Sequence, residues 1–199
     1  MKRVIILLLI LIVSIQTIHA HNPLSAMYYL EVKENINILN INLSQTGFHE
    51  ALKKQYSKTN FEELPLTEYK QLAVNYLKEN FHLVVNGTRI QLLDGGLKLG
   101  SHQTDAKFIT SELPKTFESL EIKIQAFTEN EQHQTVFSLL LSGKTSKVIL
   151  NKKNDYSASV IFKDGLMIDN HKAFNSNYLW CLVLIPIFLV GKKLMAKPN

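Results

Sequence analysis

Six histidines follow residue 20, namely His21, His49, His82, His102, His133 and His171, and imidazole is the side chain in this chain best suited to hold a metal or move a proton near neutral pH. Cleavage after Ala20 would make His21 the first residue, so that its free amine and its ring nitrogen chelate one ion together. That pair suits copper(II), which favours nitrogen ligands in a tetragonal arrangement. Further ligands by residue type are His102 and His133, the latter close in sequence to Glu129 and Glu131. Pro23 lacks an amide hydrogen, which prevents the backbone from completing a peptide-type copper site. The competing reading makes His21 the remnant of a cleavage site in a frayed terminus, and the other histidines isolated surface or packed residues.

Other fragments approach catalytic motifs and stop short. His49-Glu50-Ala51-Leu52-Lys53 begins like a zinc-protease helix, but Lys53 stands where the second histidine is needed. Gly143-Lys144-Thr145 resembles the end of a phosphate loop, yet Ser138 occupies the place of the earlier glycine and the segment reads as a turn. No Gly-x-Ser-x-Gly elbow occurs. Glu129 and Glu131 lie two apart in a polar stretch, the pattern of a solvated turn and not of an acid/base pair. The expectation is a protein without catalytic activity. Asn42-Leu43-Ser44 and Asn86-Gly87-Thr88 match the glycosylation acceptor pattern, although Asn86 is explained by a turn.

The segments that would position these residues start with two apolar ends. Residues 1–20 carry Lys2 and Arg3, an apolar run from Val4 to Val13 and a small residue at Ala20, the layout of a cleavable secretory signal. The run from Tyr178 to Gly191 is uncharged, with Tyr178 and Trp180 at one end and Lys192 and Lys193 at the other. Extended back to Ala173 it is long enough for a membrane helix anchored by interfacial aromatics and by lysines on the cytoplasmic side. A buried terminal element of the domain is the alternative. The division expected is a signal peptide at 1–20, an extracytoplasmic domain at 21–165, a linker at 166–177, an anchor at 178–191 and a cytoplasmic tail at 192–199. The domain is thereby placed outside the inner membrane, in the periplasm or outside the cell.

The formal charge of +5 belongs to these ends, because Lys2, Arg3, Lys192, Lys193 and Lys197 leave 17 basic residues against 17 acidic ones. A neutral middle without a basic stripe argues against a nucleic-acid partner. The single cysteine, Cys181, falls in the C-terminal apolar run, so no disulfide braces the domain.

Within the middle, runs rich in Ile, Leu, Val, Tyr and Phe alternate with turn residues. Strands are expected at 26–32, 36–43, 81–85, 89–93, 120–126, 136–141, 148–150 and 156–162, with turns at Asn86-Gly87, Asp94-Gly95-Gly96, Ser142-Gly143 and Lys163-Asp164-Gly165. Leu66, Tyr69, Leu72, Ala73, Tyr76 and Leu77 recur at three- and four-residue steps after Pro65, predicting an amphipathic helix to about Glu79, and a shorter helix is expected over 48–56. Seven or eight strands at this spacing suggest a mainly β fold, an antiparallel two-sheet sandwich with one or two inserted helices, followed by the C-terminal membrane helix.

His21-Asn22-Pro23-Leu24-Ser25, Val85-Asn86-Gly87, and the stretch from Glu129 to Phe137 ahead of Val148-Ile149-Leu150 resemble a family of small exported bacterial envelope proteins of unknown function. That family is similar to the extracytoplasmic domain of some nickel/cobalt-permease-like proteins, and the likeness covers most of residues 21–162. Asn22 departs from the family's direct His-Pro, as does a permanent C-terminal anchor. The resemblance implies an envelope β domain with a link to metal transport. Two functional expectations follow: a non-catalytic, membrane-anchored module that binds or positions an envelope protein partner, or a protein binding copper or nickel ions that assists transport.

Overall fold

The computed structural model describes residues 25–130 and 132–169. The period-two alternation forms strands as its chemistry dictates. β1 (Ser25–Val32) and β2 (Asn37–Ser44) make a hairpin, and α1 (Gln45–Gln55) and α2 (Leu66–Glu79) follow before the chain returns to strand. Then come β3 (Phe81–Val85), β4 (Thr88–Ile90), β5 (Leu92–Leu99), β6 (Gln103–Thr110), β7 (Ser119–Ile124), β8 (Gln134–Leu141), β9 (Lys144–Asn151), β10 (Ser157–Lys163) and β11 (Leu166–Asp169). The first sheet has the order β5-β6-β2-β1-β8-β9 and the second β11-β10-β7-β3-β4.

Inward side chains of both sheets share one core. Tyr28, Leu30, Leu39, Ile41, Phe108 and Phe137 come from the first sheet; Leu83, Leu120, Ile122 and Val160 come from the second. Tyr28 stacks on Phe81 across the gap at 6.0 Å. Each such side chain contributes about 1.5–3 kcal/mol by leaving water, which lets the domain do without a covalent brace. The helices close the same core with Phe48, Ala51, Leu52, Ala73, Tyr76 and Leu77, while Leu66, at the start of the expected stripe, is exposed. Ser44 caps α1 by accepting from the Gly47 amide, and the α2 stripe turns Tyr69, Ala73, Tyr76 and Leu77 inward as its spacing requires.

Four expectations need correction. The sandwich is not wholly antiparallel: β1 pairs antiparallel with β2 but parallel with β8, from Ser25 opposite Gln134 to Glu31 opposite Leu140. Asp94-Gly95-Gly96 is no turn but the interior of β5, which bulges between Leu92 and Gly95. A side chain at Gly95 would overlap the Phe108 ring and the Lys107 carbonyl, so glycine serves close strand packing here and not reversal. The expected strand at 89–93 is divided at Gln91, with β4 in one sheet and β5 in the other. Finally, β6 and β11 bring the described strands to eleven. β11, where the linker was expected to begin, pairs with β10 from Val160 opposite Asp169 to Lys163 opposite Leu166.

The expected signal at 1–20 and anchor at 178–191 lie outside the described residues. Among the described residues no helix is long and apolar enough to cross a membrane.

Candidate functional site

The structure separates the histidines expected to act together. His133 precedes β8 and is 2% exposed, set against the rings of Phe127 at 5.1 Å and Tyr156 at 6.2 Å, with Nε2 2.9 Å from the Thr135 hydroxyl oxygen. His102 is exposed ahead of β6, and its carbonyl accepts the Gln45 amide at 3.0 Å. β2 and β1 lie between β6 and β8, so the starts of those strands are three strand spacings apart, about 14 Å. Metal–nitrogen bonds are about 2 Å long, and two imidazoles so placed do not share an ion. His21 and Glu131 lie outside the described residues. His49 packs edge-on to Phe61, and His82 keeps a shielded Nδ1 with no hydrogen-bond partner among the described residues. Among the described residues no three His, Cys, Asp or Glu side chains converge as a metal site would require.

The carboxylate of Glu129 has a structural assignment. The Tyr76 hydroxyl donates to it at 2.9 Å and accepts from the Phe127 amide at 2.6 Å. Lys54 Nζ donates to the Glu129 carbonyl, and Asn130 Nδ2 donates to the Gly47 carbonyl. The polar loop is thus fastened to both helices, which supports left-handed backbone at Phe127 and Gln132. Gly143 closes the hairpin turn between β8 and β9, where it and Ser142 have positive φ, and Lys144 and Thr145 open β9. Lys144 Nζ reaches the Asp164 carbonyl at 2.6 Å and not a phosphate cradle.

Among the described residues an open cleft of about 910 Å³ lies at one end of the sandwich, where the β1–β2 turn, the β6–β7 connection and the β8–β9 turn meet, and another of about 890 Å³ lies over β2, β5 and β6. Ile36, Ile109, Phe117 and Leu141 give the end cleft apolar surface, while Lys33, Glu34, Glu112 and Lys115 give it charges of both signs. Ile36 and Ile109 are 39% and 37% exposed. Asn37 also lines it, with a shielded side-chain oxygen that lacks a partner among the described residues.

The walls are fixed from behind. Phe117 packs edge-on against Phe162 at 5.3 Å. Asn86, at the β3–β4 turn, donates its side-chain amide to the Thr116 carbonyl and accepts the amides of Glu118 and Ser119. That network also explains Asn86 structurally, as the sequence suggested. A surface of apolar patches between opposite charges can hold an extended polypeptide through side-chain contacts.

Sequence reasoning missed this cleft because its residues come from three separated segments, each resembling an ordinary turn. The exposed isoleucines at the turn ends were the available signal. Comparison with models of known protein families gives no match, and a search of curated protein sequences gives none either. Geometry therefore carries the functional reading.

Proposed function

We propose that this protein is a membrane-anchored envelope domain without catalytic activity, whose end cleft holds a segment of a partner protein. The observation carrying the reading is the composition of the cleft: exposed Ile36 and Ile109 beside two lysines and two glutamates, on walls braced by Asn86 and Phe162. Rigid walls reduce the ordering cost of binding, and a rim of both signs selects a partner by charge pattern instead of attracting any polyanion. The signal-like 1–20 and the apolar 178–191 support export and anchoring. The resemblance to exported envelope proteins points the same way.

A photocrosslinking residue at Ile36 in the full chain, expressed in its own cells, should yield one discrete adduct. The same residue at Ser159, on the outer face of the second sheet, should not yield it. Glu112→Lys combined with Lys115→Glu should remove the adduct while leaving the amount of protein unchanged. An adduct indifferent to that charge swap would refute the cleft as the binding surface. Protease added to spheroplasts should digest 26–162 and spare 192–199; digestion of the tail would refute the anchored topology.

A further inference from the structure

The two sheets meet along one side of the molecule, where edge strand β9 of the first lies against edge strand β11 of the second. The Met167 amide donates to the Ser146 hydroxyl at 3.2 Å across this seam, and Lys144 reaches the Asp164 carbonyl. Large apolar side chains flank the seam on both sides. Ile161 is opposite Ile168, and Lys163 is opposite Leu166; Phe162 and Met167, which alternate with them, pack on the core. Ile161, Leu166 and Ile168 are 43%, 40% and 42% exposed. On the other side Met27, Val136 and Ile149 form one cross-strand row on the outer face of the first sheet, with Met27 at 42% and Ile149 at 55% exposure. Most of the large apolar side chains exposed among the described residues thus gather around this seam.

Outward charge on the seam strands themselves is basic, while Glu31 on β1 and Glu121 on β7 stand two strands away on either side. The outward positions of β9 are Thr145, Lys147, Ile149 and Asn151; those of β10 and β11 are Ser157, Ser159, Ile161, Lys163, Leu166 and Ile168. They include two lysines and no acid, with Asp164 in the adjoining turn. Exposed isoleucine and leucine interleaved with lysine is the composition that enters the headgroup layer of an anionic bilayer. One β11 amide is already taken up by the Ser146 hydroxyl of β9, which disfavours strand addition at that point.

Position supplies the remaining argument. β11 is the last described element, and the apolar run at 178 begins nine residues after Asp169, a distance an extended chain covers in at most about 30 Å.

From these observations we infer that the β9–β11 seam lies against the bilayer surface, with Ile149, Leu166 and Ile168 in the headgroup layer and Lys147 and Lys163 on anionic lipid. This rests on the anchored reading of 178–191. To test it, full-length chain carrying Cys181→Ser is placed in vesicles of phosphatidylethanolamine and phosphatidylglycerol, with a solvent-sensitive fluorophore on a single cysteine at Ile149, at Leu166, or at Leu93 on the opposite edge strand.

Lipid-borne quencher should reduce the signal at 149 and 166 roughly threefold more than at 93. Lys147→Glu with Lys163→Glu should bring the three sites together. Equal quenching at all sites overturns the inference, as does a probe at 166 that is shielded in detergent and vesicles alike without quenching, the sign of a second copy or another part of the chain on the seam. Indifference to the lysine reversals overturns it too. Chain that fails to float with the vesicles refutes the anchored reading itself, whereas chain that floats with a dry seam refutes only the placement of this edge.

Discussion

Tyr28 and Tyr76 are both enclosed by the core, yet their hydroxyls are in opposite situations. The Tyr28 oxygen is shielded from water without a hydrogen-bond partner among the described residues, and burial pushes its ionisation far up. Tyr76 is also pushed up by burial, but its hydroxyl joins the Glu129 carboxylate to the Phe127 amide. Tyr28→Phe should therefore leave urea unfolding unchanged or raise stability by up to about 1 kcal/mol, while Tyr76→Phe, which orphans the amide, should cost about 1–3 kcal/mol. Equal effects would contradict the assignment.

His49 supplies a pH test. Burial first, and Lys53 second, lower its affinity for a proton, against a smaller opposing effect from Glu50. Below the ordinary histidine value of 6.5 the unfolded chain thus holds more of this proton than the folded one, so stability falls as pH drops through that value toward the lower folded one. Melting temperature should fall more between about pH 7.5 and pH 5 in the wild type than in His49→Gln. Equal falls would remove His49 as the cause. At this scale the sequence was informative about where two fragments lie: His49–Lys53 falls within α1, and Ser142-Gly143 forms the turn ahead of β9. It could not reveal that His133 is walled in by Phe127 and Tyr156, since the first contact needs the folded-back β7–β8 connection and the second a segment beyond β9.

Among the elements, β5 is the sharpest case. Gly95→Ala should destabilise by about 1–3 kcal/mol, because its methyl group would meet the Phe108 ring and the Lys107 carbonyl. At Gly96 the same change meets nothing within 4 Å and should be neutral or mildly stabilising. Chemical denaturation of the pair measures the difference, and a loss at Gly96 as large as at Gly95 would refute the close packing.

The hairpins at Asn86-Gly87, Ser142-Gly143 and Asp164-Gly165 were legible because each needs two consecutive residues of positive φ, a demand few sequences meet by accident. Asp94-Gly95-Gly96 carries the same letters for another purpose, and only the neighbouring Phe108 distinguishes the two. β6 escaped notice because its buried face is Thr104, Ala106, Phe108 and Thr110, where small and hydroxylated residues hide the alternation. Both helices showed themselves through spacing, since Ala73, Tyr76 and Leu77 could reach a core together only at helical period.

At the scale of the molecule, β1 is the strand around which the first sheet is assembled, with a sequence neighbour on one side and β8 on the other. Hairpin pairs close small loops, but the β1–β8 pair must close a loop reaching from Ser25 to Gln134. Refolding from denaturant should accordingly take milliseconds to seconds, by roughly the rate that nonlocal β topologies allow, and stopped-flow fluorescence would detect it. Completion within microseconds would mean that the β1–β8 contact is not limiting. The two-layer plan was legible from strand count and turn spacing; the parallel pair was not, because the alternation of β1 and β8 is the same in either direction. Synthesis on a ribosome delivers β1 first and β8 only after a hundred further residues, and passage through a pore amino-terminus first would do likewise. Throughout that interval Tyr28, Leu30 and the amides along one side of β1 lack their native neighbours, so of the described strands β1 waits longest for its full complement of contacts.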